Sequence, residues 1–290
     1  MNEKYTGGSR LTWEVLAARR SSLTRELPHA RPELTWVANS VTLISGQHDA
    51  VLVDTFLTRD QSSTLVDWVV RSGKNLVAVF VTHGHGDHFF GLAPLLERFP
   101  QAKAVAMPAV VDAMRNHLAP ESIEGFWRKR FPGQLFDRLL VAEPLQGDGF
   151  ELEHEQLIAV DTGYTDTEAS SSLYVPSLDL VVAGDVVYNE IHPYLAETTA
   201  QSRGEWIAAL DRLEALKPRA VVAGHKIPEN DDAPVHIART RQYLQDFNRL
   251  EPLTATALEL YYAMLELYPD RANPGSLWGG AVAAKRGSPA

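Results

Sequence analysis

The stretch Val81-Thr82-His83-Gly84-His85-Gly86-Asp87-His88 decides how this chain is read. It follows Leu76–Val81, a continuous apolar run of the kind a buried strand shows, and precedes Gly91–Phe99, where the pattern predicts a helix. Three histidines and an aspartate therefore fall within six residues where a strand ends. Alternate side chains of an extended segment point the same way, so His83 and His85 can grip one ion together. Gly84 and Gly86 let the backbone bend tightly, and Asp87 and His88 can then face a second ion across the turn. Neutral imidazole and carboxylate both bind zinc, iron or manganese. A coincidental polar loop is the competing reading, but four potential ligands directly after so apolar a strand are hard to reach by chance.

Composition narrows the chemistry. The 290 residues include no cysteine and ten histidines, so thiolate zinc sites, iron–sulfur clusters and disulfides are excluded, and any metal must be held by His, Asp or Glu. With 27 Lys and Arg against 37 Asp and Glu, the formal charge is −10, which disfavours nucleic acid or an anionic membrane as partner. No run approaches the ~18 apolar residues of a membrane span. The N-terminus, MNEKYTGGSR, lacks the apolar core of a secretory signal, so a cytoplasmic location is expected. No G-x-x-x-x-G-K-[ST], no G-x-G-x-x-G after a strand and no G-x-S-x-G occurs, which removes the commonest nucleotide-binding and serine-nucleophile readings.

Along the chain, a loose terminus over residues 1–9 and a helix from about Thr12 to Glu26 are expected, together forming an extension over residues 1–30. Short β-rich runs follow at Leu34–Ala38, Val41–Ser45 and Ala50–Val53, the last two joined by a Gly46-Gln47-His48-Asp49 turn. Helical spacing marks Asp60–Arg71, Val110–His117, Glu121–Arg130 and Gly204–Leu216, alternating with strands at Ala104–Met107, Ser171–Val175, Leu180–Ala183 and Ala220–Ala223 and a hairpin over Phe150–Val160. A central domain over residues 31–230 is followed by a C-terminal part, 231–290, with helices at Pro234–Arg249 and Thr254–Leu267 and a loose tail from Pro269. Sheet layers covered by helices fit this order better than a βαβ repeat.

His83, His85, Asp87 and His88 match the H-x-H-x-D-H signature, and here the sequence resembles the metallo-β-lactamase superfamily. The resemblance extends over about residues 34–230: Leu52-Val53-Asp54-Thr55 before the signature, Ala183-Gly184-Asp185 after two short strands, and Ala223-Gly224-His225 after the last one. It implies an α+β, four-layer αββα sandwich with extra N- and C-terminal helices and two ions in a cleft at its edge. It also implies that Asp185 bridges both ions while Asp87, His88 and His225 hold the second.

One position departs from the family pattern. Where a third histidine normally serves the first ion, the aligned segment reads Asp161-Thr162-Gly163-Tyr164-Thr165-Asp166-Thr167, with Tyr164 at the ligand place. A phenol binds zinc poorly until a metal lowers its pKa. Tyr164 can ligate a harder ion such as ferric iron, leave a single ion at the second site, or orient water or substrate beside a weakened first site; the last is the favoured reading. An ordinary packed tyrosine is the bland one.

Val186–Tyr194 follows Asp185 and is expected to overhang the ions, which makes Tyr188 and His192 candidates to stabilise an oxyanion, His192 also being able to replace the missing ligand. Asp54 is read either as a support for a ligand histidine or as a turn former. His29, His48, His117, His154 and His236 are read as surface or packing residues. Glu124–Phe131, with its aromatics and basic residues, is either a lid over an apolar, anionic substrate or an amphipathic helix with a solvated face.

The function these readings support is hydrolysis of a small ester, lactone, thioester or amide by a metal-bound hydroxide, with one or two zinc ions, or iron or manganese. Asp87 would take the proton, and Tyr164, Tyr188 or His192 would stabilise the oxyanion. Two alternatives stand beside it: an iron-dependent, dioxygenase-like oxidoreductase of the same fold, and a non-catalytic binder with a degraded first site. The expected partner is a small molecule. A homodimer is one use of Trp13, Tyr243, Phe247, Tyr261 and Tyr262, internal packing the other.

Overall fold

A computed structural model describes residues 11–286. The terminus expected to be loose over residues 1–9, and the last four residues of the expected tail, lie outside the described residues. The elements run β1 (Thr12–Ser21), β2 (Trp36–Ser45), β3 (Asp49–Val53), α1 (Arg59–Arg71), β4 (Asn75–Val81), α2 (Gly86–Phe89), α3 (Leu92–Arg98), β5 (Lys103–Ala106) and α4 (Pro108–His117). Two short helical turns follow, α5 (Pro120–Ser122) and α6 (Arg128–Arg130), then β6 (Glu143–Pro144), β7 (Gly149–Leu152), β8 (Glu155–Gly163), β9 (Ser170–Val175) and β10 (Leu180–Asn189). The chain ends with α7 (Ala200–Ala215), β11 (Ala220–Lys226), α8 (Val235–Leu250), α9 (Ala257–Leu267) and α10 (Pro274–Ala284).

Strand periodicity sorts the buried side chains into three apolar layers. In β3, Val51 and Val53 face the central layer while Ala50 and Leu52 face the helices α1, α3 and α4. In β4, Ala78 and Phe80 face inward and Val79 and Val81 outward. Leu180 and Val182 of β10 meet the same central layer from the other side, and Val181 and Ala183 pack under α7 to α10. Successive side chains of a strand alternate faces, so two half-sheets, each with helices on its outer face, give the four-layer αββα sandwich. Each fully buried Leu, Val or Phe contributes about 1.5–3 kcal/mol.

The strand order is β6-β5-β4-β3-β2-β11-β10-β9-β8-β7, with β1 added on β2. One pairing, His225 of β11 opposite Asn39 of β2, joins the two halves. The seam therefore passes beside a residue the sequence marks as a metal ligand.

Two expectations at the chain ends are corrected. The helix expected from Thr12 to Glu26 is instead β1, paired antiparallel with β2 from Thr12 opposite Ser45 to Ser21 opposite Trp36. Glu, Leu, Ala and Arg in this stretch favour a helix locally, but a long edge on β2 offers ten cross-strand partners, and tertiary pairing wins. The tail is not loose over Pro274–Ala284, which forms α10, with Leu277 and Ala281 in the core. By contrast, α9 starts where its capping box dictates: the Thr256 side chain accepts from the Glu259 N–H, and Glu259 reaches back to the Thr256 N–H. No helix among the described residues is long and apolar enough to cross a membrane.

A carboxylate clamps the far end of the sandwich. Glu153, in the β7–β8 turn, accepts backbone N–H bonds from Gln47, His48 and Asp49 of the β2–β3 turn at 2.6–2.9 Å. These bonds hold its carboxyl at about 2, against an ordinary 4.5. A depressed carboxylate contributes stability that is fully present above the unfolded value and is lost as pH falls through the folded one. Glu153→Ala is expected to lower the thermal midpoint by a few degrees at neutral pH, with the gap to the parent closing between about 4.5 and about 2. Melting curves across that range check it; a gap independent of pH would show that the clamp contributes nothing as an ionised group.

Candidate metal centre

β4 carries the chain to Val81 as a buried strand, and His85 still has extended backbone (φ −72°, ψ 139°) as the cap of α2. Asp87 and His88 then lie in the first turn of that short helix, so the four side chains leave in two directions. β10 brings Asp185 and β11 brings His225 to the same edge. Both are preceded by glycine for steric reasons. A Cβ on Gly224 would collide with the Asp185 carboxylate, and Gly184 has φ +58° with Thr82 Oγ1 2.6 Å from where its Cβ would be.

The convergent atoms form three groups among the described residues, within each of which the ligand atoms lie within 4.8 Å of one another; two of them are fully buried and the third, His85, His117 and Glu197, lies at their rim. The first comprises His83, His85, Asp166 and Asp185; the second, Asp87, His88 and His225. His85 Nδ1 is 2.9 Å from Asp166 Oδ2, and His83 Nε2 is 3.7 Å from it and 3.9 Å from Asp185 Oδ2. Asp185 also meets the second group, with Oδ1 3.3 Å from His88 Nε2 and Oδ2 3.1 Å from His225 Nε2. His83 Nε2, His88 Nε2 and Asp185 Oδ1 are all buried without a hydrogen-bond partner. Buried polar atoms are normally satisfied, and here the orphaned ones are imidazole nitrogens and a carboxylate oxygen aimed at common points. That donor set fits divalent ions.

Bonds on the far side of each ring select the nitrogen that points inward. His88 Nδ1 bonds Asp54 Oδ2 at 2.9 Å and His225 Nδ1 bonds the Ala38 carbonyl at 2.9 Å. Thr82 Oγ1 donates to Asp54 Oδ2 at 2.8 Å and lies 3.0 Å from His83 Nδ1. Asp54 thus steadies His88 directly and His83 through Thr82. Asp54→Ala is expected to weaken metal binding roughly 10–100-fold, read by chelator competition; an unchanged affinity would show that the backbone alone fixes the rings.

The charges compete for protons. Burial opposes ionisation of Asp87, yet Arg20 and His88 hold its carboxyl well below the usual range. Asp185 is likewise lowered against burial by His225 and His88. Burial would lower His88, but Asp185 and Asp54 bring it to about 9, whereas burial and the neighbouring His88 keep His83 well below its ordinary value. For His85, the pull of Asp166 and Glu197 outweighs burial and holds it well above.

A sequence model of the metallo-β-lactamase superfamily matches residues 34–225. The chain belongs to the metallo-β-lactamase superfamily. A metallo-β-lactamase family protein from Thermus thermophilus has a similar structure, with a TM-score of 0.64 at 21% identity over 93% of this chain and 91% of that one. A metallo-β-lactamase from Pontibacter korlensis gives 0.60 at 16% identity, over 84% of this chain and 99% of that one. One from Pseudomonas aeruginosa, in its mono-zinc form, gives 0.56 at 15%, over 85% and 96%. At these identities the likeness is one of fold. No curated protein matches the chain.

Within this superfamily fold, the six metal-ligand candidates named by the sequence, His83, His85, Asp87, His88, Asp185 and His225, are brought together. Tyr164 is not at the place expected for it. Its hydroxyl donates to the Glu197 carbonyl at 2.7 Å, and the fully buried Asp166, two residues on, meets His83 and His85 instead. Thr165 Oγ1 donates to Asp166 Oδ1 at 2.9 Å, which steadies the carboxylate. His192 is also elsewhere. It is buried with Nδ1 2.9 Å from the Tyr243 hydroxyl, kept neutral by burial and by Arg271, and packs under α8. Tyr188 does reach the centre, but its hydroxyl donates to Asp185 Oδ2 at 2.8 Å and its ring stacks on His225. His117, set aside as a surface or packing residue, stands edge-on to His85 with centroids 5.2 Å apart and groups with His85 and Glu197.

Sequence reasoning missed Asp166, Arg20, Asn39 and Glu197. Arg20 Nη2 and Asn39 Nδ2 both donate to Asp87 Oδ2 at 2.8 Å, and Glu197 Oε1 lies 3.3 Å from His85 Nε2. A carboxylate within the segment already aligned with the third ligand was the signal for Asp166. Arg20 was hidden by the mistaken helix.

Proposed function

We propose that the chain is a metal-dependent hydrolase acting on a small ester, lactone, thioester or amide. The observation that supports this best is Asp185 placed between two groups of buried ligand atoms, several of them without a hydrogen-bond partner, at the wall of a cavity of about 370 Å³. Polar His85, Asp87, Tyr188 and His225 and apolar Phe126, Trp127, Trp278 and Val282 are among the residues that line that cavity. Its size and mixed walls suit a small molecule. Ions held by these residues would supply a water of lowered pKa and polarise the attacked carbonyl.

The protein groups divide the remaining work. Arg20 and Asn39 occupy Asp87 Oδ2 and fix the carboxylate, which leaves Oδ1 as the oxygen free to face an ion or its water. Tyr188 orients Asp185, its own proton being committed there. Tyr194 lines the cavity edge-on to His85 and keeps its proton, pushed up to about 12 by burial and by Glu197, whose carboxylate accepts its hydrogen bond. Asp166 in place of an imidazole makes the first group richer in oxygen, which favours manganese or iron there beside zinc.

The assay is turnover of neutral esters, lactones, thioesters and β-lactam amides before and after chelation. Activity lost on chelation and restored by zinc, manganese or iron is expected. Turnover indifferent to chelation, or none with any class at full metal occupancy, contradicts the proposal. The oxygen-rich first group also favours a second reading, an iron-dependent oxidoreductase; oxygen uptake by iron-loaded protein without hydrolysis would select it.

A further inference from the structure

Beyond Arg20 the cleft borders a second and larger groove of about 910 Å³. Its walls are the end of β1 with the segment after it, the start of α1, and the turn after α6. Arg20, Ser22, Leu23, Thr24 and Arg130 line both spaces. Among the described residues lining the groove, Arg19, Arg20, Arg25, Lys129 and Arg130 are basic and none is acidic. In a chain of net charge −10, such a local excess of cations runs against the overall balance.

The cations are only partly used by the fold, Arg130 bonding the Phe126 carbonyl and stacking on its ring. Arg19 pairs with Glu229, but Arg25, Lys129 and Arg130 make no ion pair with a described residue. Arg20 spends Nη2 on Asp87, while Nε and Nη1 have no partner although its side chain is only 10% exposed. Gln61, at the groove's floor, likewise has a buried, unpartnered Nε2. Buried donors left unpaired are costly, and a planar guanidinium matches the paired oxygens of a carboxylate or phosphate.

We propose that this groove is an anion subsite: it seats a phosphate or carboxylate group of a substrate whose reacting carbonyl lies in the adjoining cleft. Assigning the anion to a substrate rests on the hydrolytic reading above; its binding does not. Glu124–Phe131 contributes Phe126 and Trp127 to the apolar cleft and Lys129 and Arg130 to the basic groove, so one segment contacts both halves of such a molecule.

Calorimetric titration of the metal-loaded full chain with phenyl phosphate and with phenylacetate tests the proposal. Saturable one-to-one binding that weakens with added salt is expected, the stronger of the two ligands naming the anion. The Arg25→Glu, Lys129→Glu double variant should lose at least tenfold in affinity, while Arg25→Lys, Lys129→Arg, which keeps both charges, should bind within about threefold of the parent. Both positions are exposed, and a circular dichroism spectrum verifies the fold of each variant. No saturable binding of either ligand overturns the proposal. So does binding that survives charge reversal but vanishes on chelation, because the anion would then sit on the ions. Anion binding with no turnover of any ester, lactone, thioester or amide by the metal-loaded chain would sink the hydrolytic reading and leave the anion subsite standing; hydrolysis of neutral esters without anion binding would do the reverse.

Discussion

Asp185→Ala is expected to release both ions and abolish hydrolysis. Its carboxylate meets His83 in one group and His88 and His225 in the other, so neither set of donors is complete without it. It is also held in place, with Tyr188 donating to Oδ2 and no room for a side chain at Gly224 beside it. Removing it takes a carboxylate from both groups at once and leaves each with two imidazoles and a single carboxylate, less negative charge to hold a divalent ion in a buried space. Losing the ions costs several kcal/mol of transition-state stabilisation, on the order of a thousandfold or more in rate. Thermal stability should fall as well, because ions that bind the folded chain stabilise it by mass action. Elemental analysis after desalting checks the first point; two ions retained by the variant would contradict the bridging role.

A second large effect separates Asp166 from Tyr164. Asp166→Ala should lower the metal content to a single ion, since Asp87, His88, His225 and Asp185 remain, whereas Tyr164→Phe should leave the content of the parent unchanged. Asp166→His should raise zinc occupancy at the first group, because it exchanges an oxygen donor for the nitrogen that zinc prefers at such sites. The outcome that would sink this account is a Tyr164→Phe protein that loses an ion while Asp166→Ala keeps both.

The contrast shows why part of the centre was legible and part was not. Val81–His88 could be read because ligand spacing and strand termination are local properties, written in consecutive residues. The apolar runs that become β3, β4 and β10 are local too, whereas which of their side chains face the centre is not, because both faces are apolar. Asp166 lies in a loop whose path is set by Thr165 bonding to Ser170 and by Thr165 N–H bonding to the Thr167 carbonyl, and sequence alignment alone places such a loop only to within a residue or two. β1 is a non-local matter: Thr12 finds its partner 33 residues away at Ser45, and no window of the sequence around it contains that edge. Misreading β1 concealed Arg20, and with it both the anchor on Asp87 and the basic groove. α10 was hidden by its Gly and Pro content, which disfavours an isolated helix but lets the segment pack closely, Gly280 lying against Leu195.

Anomalous diffraction from crystals of the metal-loaded chain, collected on both sides of the zinc, iron and manganese edges, tests the two-ion centre most directly. Two peaks are expected, one among His83, His85, Asp166 and Asp185 and the other among Asp87, His88, His225 and Asp185. A single peak, or a first ion ligated by Tyr164 with Asp166 turned away, would contradict it.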